Sequence, residues 1–295
     1  MNQVPYHIML EQLLEEIEKK QFGRSDTDNC RTVGDNTSIG ELVSTSDHTS
    51  MVENVNTGDH RCIGDLMSTN AHASMIEHAS MSDKREAGTP SLLLHSCCAP
   101  CSSYVYVLLS PYFRITGYYY NPNIHPQAEY EKRYLELQRL ASLLNEAKNR
   151  TSIIDTQGNE RESSCAVQNE KRFPIYIEQG SYDDELFFHE TRGHESEPEG
   201  ARRCEICFAI RLEAAAKRAA ELGCMYVGTT LSVSPHKNAR LINEIGERAA
   251  SKYGVSWLYA DFKKRNGYQL SVEYSKAFGL YRQNYCGCKI TNTKR

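Results

Sequence analysis

Residues 91–102, SLLLHSCCAPCS, contain the first predicted strand of the main domain and the start of the helix that follows it. The first five of these residues are a short apolar run that predicts a buried strand over Ser91–His95. Pro100 pushes the preceding residue toward extended backbone and is compatible with a helix start, so a helix is predicted from Ser102 to about Leu109. A strand that leads directly into a helix is the first half of a β-α-β unit.

The sequence C-terminal to this stretch continues the alternation. Further strands are predicted at 114–120, 152–155, 224–228 and 255–260, and helices at 126–149, 203–222 and 235–252, with Gly254 closing the last helix. This order predicts an α/β fold with a parallel sheet and helices on both faces. Ligands of such sheets bind beyond the carboxyl ends of the strands, which is where residues 95–102 lie.

The chain N-terminal to the first strand divides into two parts. In residues 1–20, apolar residues at positions 10, 13, 14 and 17 have helical spacing and predict an amphipathic helix that packs on the main domain, residues 90–295. Residues 21–89 are acidic and rich in Ser, Thr, Asn and His, and residues 39–53 are echoed 24 residues later. A solenoid needs about three repeats to bury a core, and this segment has two. We therefore expect a duplicated, disordered insertion.

Composition excludes several classes of protein. The chain carries a formal net charge of -4, but residues 91–295 hold 27 Lys and Arg against 23 Asp and Glu, which supports a nucleic-acid partner only weakly. No run of 18 apolar residues predicts a membrane span, and the acidic stretch 1–20 does not look like an export signal. We therefore expect a cytoplasmic protein, in which clustered cysteines bind metal or do redox chemistry rather than form structural disulfides.

Seven of the eleven cysteines cluster in three places. Cys97, Cys98 and Cys101 lie where a strand gives way to a helix N-terminus, whose dipole stabilises thiolates. Cys204 and Cys207 are spaced to share one face of a helix, after two arginines that we expect to lower their thiol pKa values. The set 97, 98, 204 and 207 would suit either zinc or an iron–sulfur cluster, and spacing does not choose between them.

The third cluster is the pair Cys286 and Cys288, which one glycine separates. A disulfide across this spacing would close a strained ring, and strained disulfides are readily reduced and therefore tend to be catalytic. The alternative is a third pair of metal ligands.

Several motifs in order resemble the epoxyqueuosine reductase family of QueH type. The resemblance covers residues 91–288 nearly continuously, together with the helix at 8–20, and the insertion at 21–89 is the main departure from the family pattern. The motifs are HSCCAPCS at 95–102, YNPNIHP at 120–126, EPEG at 197–200, RCEIC at 203–207, TTLSVSPHKN at 229–238, NEIG at 243–246, DFKK at 261–264 and GLYRQNYCGC at 279–288.

The resemblance implies a HUP-like, Rossmann-like fold and an enzyme that reduces the epoxide of epoxyqueuosine in tRNA to give queuosine, without cobalamin. It implies a 4Fe–4S cluster on Cys97, Cys98, Cys204 and Cys207. It also implies a redox-active disulfide between Cys286 and Cys288. Cys101 stands where some members carry Asp, which makes it a candidate ligand for a second, mononuclear iron.

Other site residues are assigned by chemistry. A general acid must protonate the epoxide oxygen, and the candidates are Asp261, His125 and His236. Asn121 and Asn123 could read the base or sugar. Candidate phosphate contacts on the tRNA are Arg202, Arg203, Lys237, Arg240, Lys263, Lys264 and Arg265. The electron donor is unidentified.

Two other functions compete with this assignment. Cys98 and Cys101 form a CxxC pair between a strand and a helix, as in thioredoxin-like thiol–disulfide oxidoreductases. Alternatively, four thiolates could hold a structural zinc in an RNA-binding protein. Bound iron and a brown colour would distinguish the cluster protein from both.

Overall fold

The computed structural model describes residues 4–22, 88–147 and 172–288. The strands are β1 (Ser91–His95), β2 (Arg114–Tyr119), β3 (Ile175–Gln179), β4 (Tyr226–Thr229) and β5 (Ser256–Trp257). The helices are α1 (Tyr6–Phe22), α2 (Ala99–Leu109), α3 (Gln127–Ala147), α4 (Asp184–Glu190), α5 (Arg202–Glu221), α6 (Ala239–Tyr253) and α7 (Gly267–Ala277), and a 3-10 helix spans Thr230–Val233. None of these helices combines the length and apolarity that a bilayer crossing requires.

The five strands form one parallel sheet in the order β3-β2-β1-β4-β5. This is the doubly wound order of Rossmann-like folds, so the predicted α/β class is confirmed. The strand order reverses between β1 and β4, where His95 is in register with Thr229. The crevice at such a switch point is the usual ligand site of these sheets.

Alternating residues of β1 bury against different helices. Leu92 and Leu94 pack into a cluster with residues of α1, α2 and α3, whereas Leu93 packs with residues of α5 and α6. Because side chains alternate across a strand, these helices cover opposite faces of the sheet. An apolar run without polar alternation is typical of such a strand, buried on both faces.

Two helix starts differ from the sequence-based predictions. Helix α2 begins at Ala99, three residues early, because Pro100 fits its first turn and extended Cys98 serves as the N-cap. Helix α6 begins at Ala239 because the Asn238 side chain accepts a hydrogen bond from the Leu241 amide and so caps the helix there. Gly254 closes α6 in the left-handed conformation, as predicted.

The sequence-based analysis missed β3, α4 and α7. The strand predicted at 152–155 and nearly all of the predicted insertion at 21–89 lie outside the described residues. Within the part of the chain that the structure describes, β3 supplies the strand that pairs with β2. Its apolar run is only three residues long, and of these only Ile175 is buried, which gave no strong signal.

Candidate metal and redox site

The first group of thiols sits at the end of β1. Cys97 and Cys98 form the turn into α2, and Cys101 lies in the first turn of that helix. The three sulfurs all lie within 4.8 Å of one another, with Cys97 Sγ 3.9 Å from Cys98 Sγ. That spacing lets the three cysteines bind one metal ion.

The three thiols share one negative charge. Hydrogen bonds from Cys101 and Cys98 hold the pKa of Cys97 well below its usual range, and the charges of Lys237 and Arg211 act in the same direction. The Cys101 contact lowers the pKa of Cys98, but Cys97 and burial together raise it to about 11. Cys97 is therefore the thiolate, and the other two donate to it.

The 3-10 helix after β4 holds Cys97 in place. The Cys97 amide donates to Thr230 Oγ1 at 3.4 Å, and Cys97 Sγ lies 3.7 Å from the same oxygen. The first thiol group is therefore attached to both strands of the switch point, β1 through the chain and β4 through Thr230.

The second group of thiols lies at the N-terminus of α5. The Gly200 amide donates to Cys204 Sγ at 3.2 Å, and Cys207 is buried one turn further along the helix. Burial raises the pKa of Cys204, and it raises the pKa of Cys207 to about 12. The prediction that the preceding arginines lower these pKa values was wrong in its net effect, because burial outweighs them.

Those two arginines are engaged elsewhere. Arg202 Nη1 donates to Glu205 Oε2 at 2.7 Å, and the fully buried Arg203 donates from Nη1 to the Glu195 carbonyl. The Arg203 amide donates to Glu197 Oε2 at 2.8 Å, so Glu197 caps the start of α5. Arg203 thus positions the loop before the helix.

The third group is the C-terminal pair Cys286 and Cys288, whose sulfurs are not joined to each other. Arg133 Nη1 donates to the Cys286 carbonyl at 3.1 Å, and the His125 amide donates to the Gly287 carbonyl at 2.9 Å. Gly287 has φ +113°, and a Cβ there would lie 2.9 Å from Ile124 Cγ1. Only glycine fits this backbone path against the turn after β2.

Two cavities bring the three groups together. One, of about 340 Å³, is lined by Cys97, Cys98, Cys101 and Cys286 among others. The other, of about 30 Å³, is lined by Cys204, Cys207, Cys286 and Cys288 among others. They share Cys286, His236 and Lys237, so seven thiols of the described residues line two adjacent cavities.

Two cations lie among these thiols. Arg211 is 2% exposed and bonds to Cys207 Sγ at 3.7 Å, to Asn121 Oδ1 at 2.5 Å and to His95 Nε2 at 3.3 Å. Burial alone would lower the pKa of Lys237, but the neighbouring sulfurs of Cys286 and Cys97 raise it above its usual value. Both side chains therefore stay charged.

Neutral groups complete the surroundings of Arg211. Burial lowers the pKa of His95 to about 3, and the Arg211 charge adds to this effect, so the imidazole is neutral. Its Nδ1 lies 2.9 Å from Thr229 Oγ1. Asn121 donates to the Ser96 carbonyl at 3.0 Å. Within the described residues, no carboxylate pairs with Arg211.

The predicted substrate and acid residues are placed differently. His236 and Lys237 line both cavities, and Asn123 and Arg203 line the smaller one. His125 is outside both linings, with Nδ1 3.6 Å from Asp184 Oδ2. Asp261 is also outside them and pairs with Lys263 at 2.7 Å, while Asn121 is fully buried beneath Arg211.

Most of the predicted phosphate contacts form ion pairs within the protein. Arg240 lies 3.4 Å from Glu244, and Arg265 lies 3.0 Å from Glu11. Lys264 is exposed. These pairs are too weak at an exposed surface to prevent exchange for a phosphate.

Sequence reasoning missed Arg211, Arg133 and Thr230 as site residues. For Arg211 a signal existed, since it follows Cys207 by four residues and thus shares its helix face. Arg133 and Thr230 contact residues that are distant in the chain, so the spacing of residues in the sequence does not predict these contacts.

The donor set fits a thiolate-bound metal group. Arg211 and Lys237 place two positive charges among the thiols. Arg133 and Arg282 also line the larger cavity, and the carboxylate in the two linings is that of Glu199. A buried cation needs an anion, and metal binding deprotonates a thiol that burial would otherwise keep neutral. Cys97, Cys98, Cys204 and Cys207 could hold an iron–sulfur cluster, with Cys101 beside them.

Fold and site together define an α/β protein with a thiol-lined cavity at the switch point of a parallel sheet, where a cluster of three cysteines could bind a metal ion. The family model described as "Epoxyqueuosine reductase QueH" matches residues 92–294. The chain belongs to this family, so the family resemblance and the assignment as an enzyme are confirmed.

Curated relatives agree with the family match. The chain is 37% identical over 205 residues to epoxyqueuosine reductase QueH of Streptococcus pyogenes, covering 70% of this chain and 71% of the relative. It is 38% identical over 214 residues to the protein of the same name from Staphylococcus epidermidis, covering 72% and 80%. With that of Thermotoga maritima it shares 33% identity over 211 residues, covering 70% and 92%.

Proposed function

We propose that this protein reduces the epoxide of epoxyqueuosine in tRNA to the alkene of queuosine. The reaction breaks both carbon–oxygen bonds of the epoxide, consumes two electrons and two protons, and releases one water. Family membership supports the reaction, because the relatives that match are named for it.

The observation that carries the redox part is Arg211. This side chain is buried and charged, and the partner that can become anionic is the Cys207 thiol. The Cys97 thiolate lies near Arg211, but Lys237 lies among the same sulfurs, so two buried cations share one negative charge. A second thiolate at Cys207, held by metal, would balance them, because buried charges need a counter-charge. We therefore infer that Cys207 is a metal ligand.

The ligand set we propose is Cys97, Cys98, Cys204 and Cys207, with Cys101 as a candidate ligand of a second iron. A 4Fe–4S cluster held there would supply electrons one at a time, and a second iron held by Cys101 would supply Lewis-acid chemistry toward the epoxide oxygen. Cys286 and Cys288 would act as a dithiol that stores an electron pair, since Cys286 lines both cavities. Cobalamin has no part in this scheme.

Proton delivery falls to the side chains that line the larger cavity. His236 and Lys237 lie there, and Lys237 is held charged by the surrounding sulfurs. We infer that one of them protonates the leaving oxygen, in preference to Asp261 or His125, which lie outside the lining. A substrate that carries tRNA phosphates would also pair with Lys237.

An enzyme that acts on tRNA would work in the cytoplasm. The modified base belongs to an anticodon loop, which is already single-stranded, so it can enter the cavity without disrupting a helix. Asn123 and Arg203 line the smaller cavity and are candidates for reading the modified nucleotide. The electron donor is a separate partner.

The test uses the full chain, purified and reconstituted with iron and sulfide under anaerobic conditions. Iron and acid-labile sulfide are measured for wild type, Cys204→Ala and the control Cys224→Ala, whose half-buried thiol lies outside both cavity linings. We expect a brown wild type and control, and loss of the cluster in Cys204→Ala.

Activity is measured with epoxyqueuosine-containing tRNA and a strong reductant, with nucleosides analysed by mass spectrometry. We expect the product to have lost one oxygen atom. A colourless, zinc-loaded wild type would refute the cluster. Thiol–disulfide exchange without metal would favour a thioredoxin-like reductase that uses Cys98 and Cys101. A fully loaded protein that leaves the epoxide intact would refute the reaction.

A further inference from the structure

We propose that Tyr268 and Arg282 form a stacking platform for a nucleobase next to the modified nucleotide, at the mouth of the thiol cavity. This inference rests on the proposed function, because it assigns a surface to one part of the RNA substrate. Neither residue belongs to the thiol groups described above.

The two side chains form an aromatic–cation pair on the rim of the larger cavity. Tyr268 lies in the first turn of α7 and is 40% exposed. The Arg282 guanidinium carbon lies 5.8 Å from the centre of its ring. Both residues line the cavity that also contains Cys97, Cys98 and Cys286.

The backbone holds Tyr268 in this position. A Cβ at Gly267 would lie 1.8 Å from the Phe262 carbonyl oxygen, so the chain passes in close contact with that loop just before Tyr268. The Gly267 amide donates to the Lys264 carbonyl, which fixes the turn. The ring therefore projects from a rigid helix start, as a stacking surface requires.

An exposed tyrosine beside an arginine is the chemistry that recognises single-stranded RNA. Every base has a π-face, so an aromatic ring stacks on it without regard to sequence, and an arginine guanidinium stacks in the same way. Exposed Arg282 places positive charge beside the ring, which suits the RNA backbone.

The size of the larger cavity determines which base stacks on Tyr268 and Arg282. A volume of about 340 Å³ is near the lower limit for a small-ligand site, so it admits one modified base and not two nucleotides. With the modified base among the thiols, the neighbouring base remains at the rim, where Tyr268 and Arg282 lie.

The experiment measures binding of an anticodon stem-loop that carries 2-aminopurine beside the target position. Stacking quenches this fluorophore, so the signal reports the contact independently of turnover. The variants are Tyr268→Leu, which removes the ring, and Tyr268→Phe, which keeps it. The control is Tyr176→Leu, on β3, where the ring is 67% exposed and outside both cavity linings.

We expect Tyr268→Leu to raise the dissociation constant about 5- to 100-fold and to abolish quenching. Tyr268→Phe and Tyr176→Leu should match wild type. In turnover assays Tyr268→Leu should raise KM for tRNA by a larger factor than it lowers kcat, whereas Tyr176→Leu should leave both constants unchanged. Arg282→Lys keeps the charge but loses the planar group, so its quenching should fall.

Two outcomes would overturn the inference, and they can be told apart. If Tyr268→Leu binds and quenches like wild type while epoxide reduction is intact, the platform is refuted and the proposed function stands. If wild type binds no stem-loop and reduces no epoxide, the proposed function fails and the platform fails with it.

Discussion

Arg211 and Cys207 lie one turn apart on helix α5, with Arg211 Nη1 3.7 Å from Cys207 Sγ. The same guanidinium bonds to Asn121 Oδ1 and to the ring of His95. One side chain thus joins the thiol group of α5 to the carboxyl ends of β1 and β2. This contact predicts measurable effects of Arg211 on the stability and reduction potential of a metal group held by these thiols.

We expect Arg211→Met to affect the stability of the metal-free protein and that of the metal-loaded protein differently. Without metal the variant removes one of two buried cations that share the single Cys97 thiolate, so its melting temperature should rise or stay constant. With metal it removes the counter-charge of an anionic group, so the gain in melting temperature on loading should shrink. The reduction potential of the loaded form should also fall by about 60 mV, equivalent to tenfold for one electron.

Arg211→Lys is the matched control because it retains the charge. Its reduction potential should stay close to wild type, although the hydrogen bond to Asn121 is lost. Equal potentials for Arg211→Met and wild type would show that Arg211 does not compensate a metal-bound thiolate.

Gly287→Ala should displace the C-terminal thiol pair. Its Cβ would lie 2.9 Å from Ile124 Cγ1 and 3.1 Å from Arg133 Nη1, and φ +113° disfavours any side chain. We expect a loss of stability of about 1–3 kcal/mol and a larger loss of epoxide reduction. Urea unfolding and turnover measure the two effects.

Gly279→Ala controls for backbone strain alone. Gly279 has φ +57°, but its Cβ would meet nothing within 4 Å. This variant should lose stability without losing activity. If both glycine variants lose activity equally, the position of the CGC segment is not what turnover depends on.

Thr230→Val should loosen the first thiol group. The change keeps the shape of the side chain and removes the oxygen that accepts from the Cys97 amide. A buried amide without its acceptor costs about 1–3 kcal/mol, so both stability and metal retention during chelation should fall. Thr230→Ser keeps the hydroxyl and should retain its metal at the wild-type rate; equal release from both variants would contradict the role of the hydroxyl.

Glu136 should make stability depend on acidity. The hydrogen bond from Arg139, with a further contribution from the Tyr281 amide at 2.6 Å, holds the pKa of Glu136 below its usual value. Because the folded-state pKa is the lower one, the contribution is complete above the unfolded pKa of about 4.3 and is lost as pH falls through the folded value.

Glu136→Gln should therefore be less stable than wild type at pH 7 by about 1 kcal/mol, and the difference should vanish at low pH. Urea unfolding at a series of pH values measures it. A difference that is constant down to pH 3 would show that the carboxylate charge does not hold residues 278–281 in place.

The sequence predicted the fold where local signals were strong. The strong signals were the apolar run 91–95 for a strand, Pro100 for a nearby helix start and Gly254 for a helix end. The strand, the proline in the first turn of α2 and the glycine at the end of α6 were all confirmed. Strand β3 and helices α4 and α7 were missed because their faces are only partly buried and their periodicity is weak.

The candidate site could be predicted in part. The cysteines could be identified as site residues because few roles besides metal binding and redox chemistry explain their clustering. Arg133, Tyr268 and Arg282 were not, since their importance arises from contacts with the Cys286 carbonyl and with each other across large sequence separations. The direction of the Cys204 and Cys207 pKa shifts was mispredicted because burial cannot be read from neighbouring charges.

Helix α1 contributes Leu10, Leu14 and Ile17 to the same apolar cluster as Leu92 and Leu94. The N-terminal segment is therefore an integral piece of the catalytic domain, although a long stretch of chain separates it from β1. Closing a connection costs only about 0.6 kcal/mol more for each doubling of its length. Evolution can thus lengthen, duplicate or replace this connection at little expense, while truncation of the first 22 residues would expose the core.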